Sequence, residues 1–292
     1  WRRWKMGEAL LAASGDPGVA KILFARDHCE NDSAPWLVAG NSGFDSVKMG
    51  ANIALAVAPE NLLVADRWTH GLQFRAWREP RDDRAYVGCL DLGAGGGGDN
   101  TSLQVLDTES LTFMAELHGN KVDPYTAVAG AIGVMSLYGM GVLVILTQRF
   151  PGIGNYAHHA PPDGLGYQNT WKPPQREKED IKHWFGRPYG FWEGNTSHGK
   201  KEPSTSELTA MFKREFNEGN IKSLNPYLLE DMQNWNEERD PHPPDRIASA
   251  RGAFLGIQDA RKRRGTLYAS PESRSRGPVI TVIPGRGLLR RG

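Results

Sequence analysis

The sequence predicts an α/β domain built on a mixed sheet, three antiparallel strands followed by parallel ones and flanked by helices. Three observations predict it. Between residues 86 and 118 three short apolar runs alternate with turn sequence, the pattern of a meander. An Asp-Pro pair at 123 and 124 then launches an uncharged helical stretch that ends on the Val- and Ile-rich run Val142 to Leu146. Beyond a long irregular segment, apolar residues recur at helical spacing between Leu208 and Ile257.

The elements follow in order. Tyr86 to Asp91 (YVGCLD) is a short strand that ends on a carboxylate, and the glycine-rich loop Gly93 to Gly98 comes next. Ser102 to Leu106 and Thr112 to His118 are two further strands, joined by the turn Asp107-Thr108-Glu109-Ser110. Asp123 caps the following helix and Pro124 takes its first position. Gly141 to Thr147 supplies the fourth strand. Phe150 to Lys201 reads as one irregular stretch rich in Gly, Pro, His and Trp, and loops of that length are uncommon without a function. Ser204 and Glu207 form a capping-box pattern, Leu208, Met211, Phe212 and Phe216 line one helical face, and Gly219 stops that helix. A short strand near Ile221, a helix from Pro226 through Trp235 and a last helix with Ile247, Ala250, Phe254 and Ile257 on one face complete the set.

Ahead of these lie a short amphipathic helix around Met6 to Ala13, a Gly15-Asp16-Pro17 turn, a helix to Arg26 and turn-rich sequence, with Arg78 to Arg84 reading as a linker. The expected division is a linker or remnant at 1–83, the sheet domain at 84–259 and a basic, flexible tail at 260–292. The chain begins with Trp1, without the apolar run of a secretion signal, and is expected to be part of something longer.

Composition narrows the classes. A length of 292 residues buries one large core easily. With 35 basic and 34 acidic residues the net charge is +1, so overall charge does not announce a nucleic-acid binder. Its distribution does more: nine Lys or Arg stand against the single acid Glu272 between Arg261 and Arg291, a sequence-independent phosphate contact in prospect. The two cysteines, Cys29 and Cys89, make neither a disulfide framework nor a zinc ligand set, which fits a cytoplasmic setting. Thr126 to Thr147 is uncharged and as long as a membrane helix, yet Gly139 and Gly141 interrupt it, so a buried helix followed by a buried strand is expected and no membrane.

Metal-assisted phosphodiester cleavage needs carboxylates that converge on divalent ions, and Mg²⁺ keeps several waters, so two or three acids suffice. Asp91 is the first candidate, at a strand end where the following glycines admit a phosphate backbone; the alternative is an Asp closing a turn. Asp245 is the second, at the start of the last amphipathic helix, with a plain helix cap as its alternative. Asp99 is a further ligand candidate, and Asp107 is weaker because it sits in a turn. Lys200, Lys201, Arg246, Arg261, Lys262, Arg263 and Arg264 are the candidate DNA contacts. Gly194 to Lys201 approaches the phosphate-loop pattern of nucleotide-binding proteins, but Lys201 stands where a Mg²⁺-binding hydroxyl belongs. His158-His159 reads as loop histidines, and Trp171, Trp184, Tyr189, Phe191 and Trp192 as aromatics that pack their loop down.

Several segments resemble the large subunit of phage terminases, the motors that package viral DNA. WRRWK at 1–5, Gly15-Asp16-Pro17 and WLVAGNSGF at 36–44 look like the stretch leading out of that family's ATPase domain. YVGCLDLGAGGGGDNTSLQVLD at 86–107 is similar to its first nuclease motif, and VDPYTAVAGAIGVMSLYG at 122–139 to the helix that follows. GNTSHGKK at 194–201, with Glu218-Gly219-Asn220-Ile221, resembles the later half. The resemblance implies an RNase H-like nuclease domain that uses Mg²⁺ or Mn²⁺ to cut double-stranded concatemeric DNA without strong sequence specificity. It also implies an ATPase motor ahead of Trp1, a portal protein and a small terminase subunit as partners, a monomer in isolation that oligomerises on the portal, and a host-cell cytoplasmic location. Two departures stand out. Thr147 occupies the place of the family's acid at the end of the fourth strand, and of the late His and two adjacent Asp, His242-Pro243-Pro244-Asp245 keeps the His but only one Asp, Asp245. A hydroxyl is a poor ligand for a hard cation, so weak metal binding is expected. The alternatives are a catalytically degenerate domain that serves as a DNA-binding scaffold, and an actin-like nucleotide-binding domain, whose phosphate loop also follows a strand-end Asp.

Overall fold

The order of burial along each strand is what builds this molecule in layers. The computed structural model describes residues 43–56, 69–147, 149–173, 189–191, 203–237 and 239–268. The expected helices before Arg26, the resemblance segments at 1–5, 15–17 and most of 36–44, the segment 194–201 and the tail beyond 268 lie outside the described residues.

Six strands form one sheet: β1 (Gln73–Ala76), β2 (Tyr86–Asp91), β3 (Thr101–Asp107), β4 (Thr112–Gly119), β5 (Val142–Ile145) and the two-residue β6 (Lys222–Ser223). The order is β1-β4-β3-β2-β5, with β6 also on β4. The meander β2-β3-β4 is antiparallel and β5 runs parallel to β2. Bridges from Leu143 to Thr170 and from Leu146 to Phe191 extend the parallel side. Three antiparallel strands with a parallel strand beside the first is the RNase H-like arrangement, as expected from the sequence.

Side chains alternate across the sheet. Val87, Cys89, Val142, Val144 and Leu146 face one layer of helices: α1 (Ser46–Leu55), α4 (Thr205–Asn217), α5 (Pro226–Asn234) and α6 (Asp245–Gly252). Tyr86, Leu90, Leu103, Val105, Leu143 and Ile145 face α2 (Pro124–Leu137), whose Ala127, Ala131, Val134 and Met135 are fully buried. Burying each large side chain contributes about 1.5–3 kcal/mol. The Ala- and Gly-rich α2 is therefore a core helix, and no helix among the described residues is long and apolar enough to cross a membrane.

The local signals act as read. Asp123 accepts from the Tyr125 and Thr126 N–H groups ahead of Pro124. Ser204 and Glu207 close a reciprocal capping box on α4, and Gly219 adopts φ +80° where that helix stops. The structure departs from expectation in three places. The stretch before residue 84 supplies β1 to the sheet and α1 to the helical layer, where Asn52 Oδ1 accepts from the Ser223 N–H at 2.8 Å. The stretch beginning at Phe150 contains a short helix, α3 (Ile153–His158), in which His158 stacks on Tyr189 at 3.8 Å. The last helix is three pieces, because α6 passes through a 3₁₀ turn at Ala253–Gly256 into α7 (Ile257–Tyr268). Trp171 and Phe191 are buried, so these aromatics pack as expected, while Trp184 and Trp192 lie outside the described residues.

Gly252 decides how near α6 comes to the central strand. A Cβ there would meet Cys89 Sγ at 2.4 Å, so only glycine lets the helix approach β2 this closely. That contact fixes the position of Asp245 at the other end of the same helix.

Candidate metal centre

The C-terminal end of β2 opens into a cleft of about 780 Å³ lined by Asp91, Asp99, Asn100, His118, Arg149, Asp245 and Arg246 among others. Asp91 closes β2 and is the first residue of that strand to reach the surface. The loop behind it turns at Gly93, where a Cβ would lie 2.5 Å from the Asp99 carbonyl oxygen, and the Gly93 N–H donates to Thr101 Oγ1 at 3.1 Å. The chain thus folds back on itself and presents Asp99 and the Asn100 N–H to the cleft.

Asp245 arrives from the opposite side. The N-cap of α6 is Pro244, which has no side-chain hydrogen bond to give, and Asp245 opens the helix. Its Oδ2 does not cap its own helix; it accepts from the Asn100 N–H at 3.2 Å. Burial pushes the Asp245 pKa up, the Asn100 hydrogen bonds pull it down, Asp99 adds to the rise and Arg149 opposes it. Desolvation and a neighbouring like charge both disfavour the ionised carboxylate, and a nearby cation opposes them.

One cation is already there. Arg149, on the turn after β5, donates to Asp99, and that bond together with the charges of Asp99, Asp91 and Asp245 raises its pKa despite some desolvation. Both members of the pair are about half exposed, at 53% and 47% of their side-chain surface. Asp91, Asp99 and Asp245 thus line one cleft with Arg149, which is hydrogen-bonded to Asp99. Among the described residues no three His, Cys, Asp or Glu side chains are grouped closely enough to hold a metal ion by themselves. Thr147 is buried, and its hydroxyl donates to the Phe191 carbonyl at 3.2 Å, so it belongs to the sheet edge and not to the acids.

Beneath the cleft lies a buried polar network invisible to local pattern reading. Glu116 on β4 is wholly buried and accepts from Arg75, from Arg246 Nε at 3.0 Å, from Gln104 Nε2 at 3.1 Å and from Asn225 Nδ2 at 2.8 Å. Burial raises its pKa, but the charge of Arg246 and these hydrogen bonds outweigh that and hold the carboxyl below its usual range. Arg246 also reaches Asp231 Oδ2 at 3.2 Å. The Arg246 guanidinium, a candidate DNA contact from the sequence, is engaged by two acids and ties the first turn of α6 to β4 and α5. Ser249 reinforces the tie through a 3.1 Å contact between its Oγ and that of Ser102 on β3.

His118, at the end of β4, lines the same cleft, and its buried Nδ1 has no hydrogen-bond partner among the described residues. Burial first, then the charges of Arg246 and Arg75 against that of Glu116, lower its pKa from 6.5 to about 4. The folded state thus resists a proton that the unfolded chain accepts. Stability is full above pH 6.5 and falls as pH drops from 6.5 toward 4, by at most about 1.4 kcal/mol per pH unit and less where solvent screens the ring. Denaturation of the His118→Gln variant across that window is expected to show a flatter pH profile; an unchanged slope would remove His118 as its source.

The other candidate DNA contacts are scattered. Arg261 donates to the Thr108 carbonyl and Arg263 to Asn169, both at the end of the sheet where β2 begins, away from Asp91. Lys262 is exposed on α7 between them. The Arg264 side chain, Lys200 and Lys201 lie outside the described residues. Asp107 serves its own turn, accepting from the Glu109 N–H at 2.9 Å and Ser110 Oγ at 2.9 Å.

No protein-family model and no curated protein matches the chain. Solved structures do. The large terminase nuclease of thermophilic phage G20c with bound zinc aligns at TM-score 0.44 and 12% identity, over 70% of this chain and 96% of that one. The same nuclease with bound magnesium aligns at TM-score 0.41 and 12% identity, over 70% and 95%. The nuclease domain of the large terminase of Thermus phage P74-26 aligns at TM-score 0.41 and 13% identity, over 70% and 93%. These solved structures, to which this mixed, RNase H-like α/β chain is similar, are of large terminase nucleases from phages.

Proposed function

We propose that the chain is a metal-dependent endonuclease domain of the terminase type, which binds double-stranded DNA by its backbone and hydrolyses phosphodiesters with Mg²⁺ or Mn²⁺. The observation that carries this reading is that Asp91, from the end of the first central strand, and Asp245, from the start of a late helix, line one cleft together with Asp99 and Arg149. The donor set fits a hard divalent ion. Asp91 and Asp245 are the proposed ligands, and an ion that keeps most of its waters needs few protein oxygens; Asp99, bound to Arg149, lines the same cleft. When bound, such an ion supplies Lewis acidity and an activated water. The protein holds the acids in place through Asn100 and the Arg246–Glu116 tie. His118, with a pKa of about 4, is too weak a base to take protons at neutral pH, and acts on the cleft as a neutral polar wall. By the same resemblance the domain serves a viral packaging motor in the host cytoplasm, with a portal protein and a small terminase subunit as partners.

The Asp91→Ala variant is expected to lose Mn²⁺ binding and Mn²⁺-dependent nicking of supercoiled plasmid, both of which a chelator abolishes in the parent chain. Full cleavage by this variant would refute the assignment. A second reading, a DNA-binding scaffold without cleavage, is favoured by Thr147, whose hydroxyl is turned away onto Phe191. Plasmid left intact by the parent chain in Mn²⁺, with DNA binding retained, selects it.

A further inference from the structure

Arg149 is bound to Asp99 in the cleft that Asp91 and Asp245, the proposed ligands of a divalent ion, also line. It lies in a hydrogen-bonded turn: the Phe150 N–H donates to the Thr147 carbonyl at 3.1 Å, and the Ile153 N–H to that of Phe150 at 3.2 Å as α3 begins. Its side chain, by contrast, is 53% exposed and bound to a half-exposed Asp99. Exposed ion pairs contribute little net stability, so this one exchanges readily. A long, half-exposed cation on a turn suits a group with two alternative anionic partners.

The two partners differ in kind. One is Asp99, with the fields of Asp91 and Asp245 behind it. The other is any phosphodiester that enters the cleft, since the planar guanidinium fork matches paired phosphate oxygens. A divalent ion on Asp91 and Asp245 repels the guanidinium, and a phosphate offers it a new place. We propose that Arg149 is a phosphate-binding residue that leaves the acids when DNA enters, so that DNA and the divalent ion bind this cleft cooperatively. This rests on the nuclease reading above and adds an order of events to it. Without DNA, the tethered arginine competes with the ion; with DNA, it grips the backbone and the acids are released to the metal.

Reciprocity makes the idea measurable, because DNA must tighten Mn²⁺ by the factor by which Mn²⁺ tightens DNA. Free Mn²⁺ is titrated by electron paramagnetic resonance against the full chain, with and without a short phosphorothioate duplex that resists cleavage. The parent chain is expected to bind Mn²⁺ about 5-fold or more tightly with the duplex present. In Arg149→Gln, Mn²⁺ affinity without DNA rises by a similar factor and the dependence on DNA disappears; Arg149→Lys keeps the competition but grips the duplex less. If Mn²⁺ binds the parent chain, is lost in Asp91→Asn, and yet binds Arg149→Gln with unchanged affinity and unchanged coupling, the proposal for Arg149 is overturned while the metal site stands. If the parent chain binds no Mn²⁺ under either condition, the nuclease reading fails and takes the arginine's role with it.

Discussion

Replacing Glu116 by Ala is expected to destabilise the fold by about 3–5 kcal/mol, the cost of stranding buried charge. The carboxylate is fully buried, and the two arginines it holds, Arg75 and Arg246, keep only 14% and 15% of their side-chain surface exposed. Removing it leaves both without this shared anion and also deprives Gln104 and Asn225 of an acceptor. Glu116→Gln keeps an acceptor while losing the charge, so a smaller loss is expected. The pH dependence carries the same signature. A folded pKa held below the ordinary 4.5 gives stability that is complete above that pH and is lost as pH falls through the folded value. The gap between parent and Glu116→Ala should therefore narrow in acid. Urea unfolding measures it, and a loss below about 1 kcal/mol at pH 7 would show that the network is not what holds α6 down.

This network marks where sequence reading succeeds and where it stops. The meander, the Asp123-Pro124 start, the capping box and the buried α2 were legible because each depends on residues within a few positions of one another. That Asp91 ends a strand and Asp245 begins a helix was legible for a related reason, since both ends are marked by neighbouring residues in a short stretch of sequence. β1 was not legible. Its four residues, QFRA, alternate polar and apolar too briefly to stand out, and it becomes a strand only because β4 offers an open edge. Nor was the polar seam under the cleft, although a signal for it exists. Ser102 and Gln104 on β3 and Glu116 and His118 on β4 recur with period two on strands that are otherwise apolar, and the register places them directly opposite one another. Polar residues spaced so on two adjacent core strands mark a buried network or a site. Their partners Arg75 and Arg246 come from distant segments, a pairing that no local pattern encodes.

Asp245→Asn should separate binding from folding in a way that neither a purely structural nor a purely surface residue would. Burial is the main cause of its raised pKa, so the folded state favours the protonated acid more than the unfolded chain does. The stability this protonated form confers is present below the ordinary value of 3.8 and is lost as pH rises through the folded pKa. At pH 7 the charged form is thus a burden on the fold. Asparagine removes the charge, keeps an oxygen to accept from the Asn100 N–H, and is expected to make the chain more stable at pH 7, with the difference vanishing in acid below 3.8. The same change should weaken Mn²⁺ binding and plasmid cleavage by on the order of 100-fold or more, since losing a ligand costs at least as much as losing its supporting shell. Greater stability with less metal binding is the pattern of a residue retained for chemistry at the expense of the fold. A variant that binds Mn²⁺ like the parent chain, or one that is less stable at pH 7, would contradict the placement of Asp245 as a ligand held in a desolvated site.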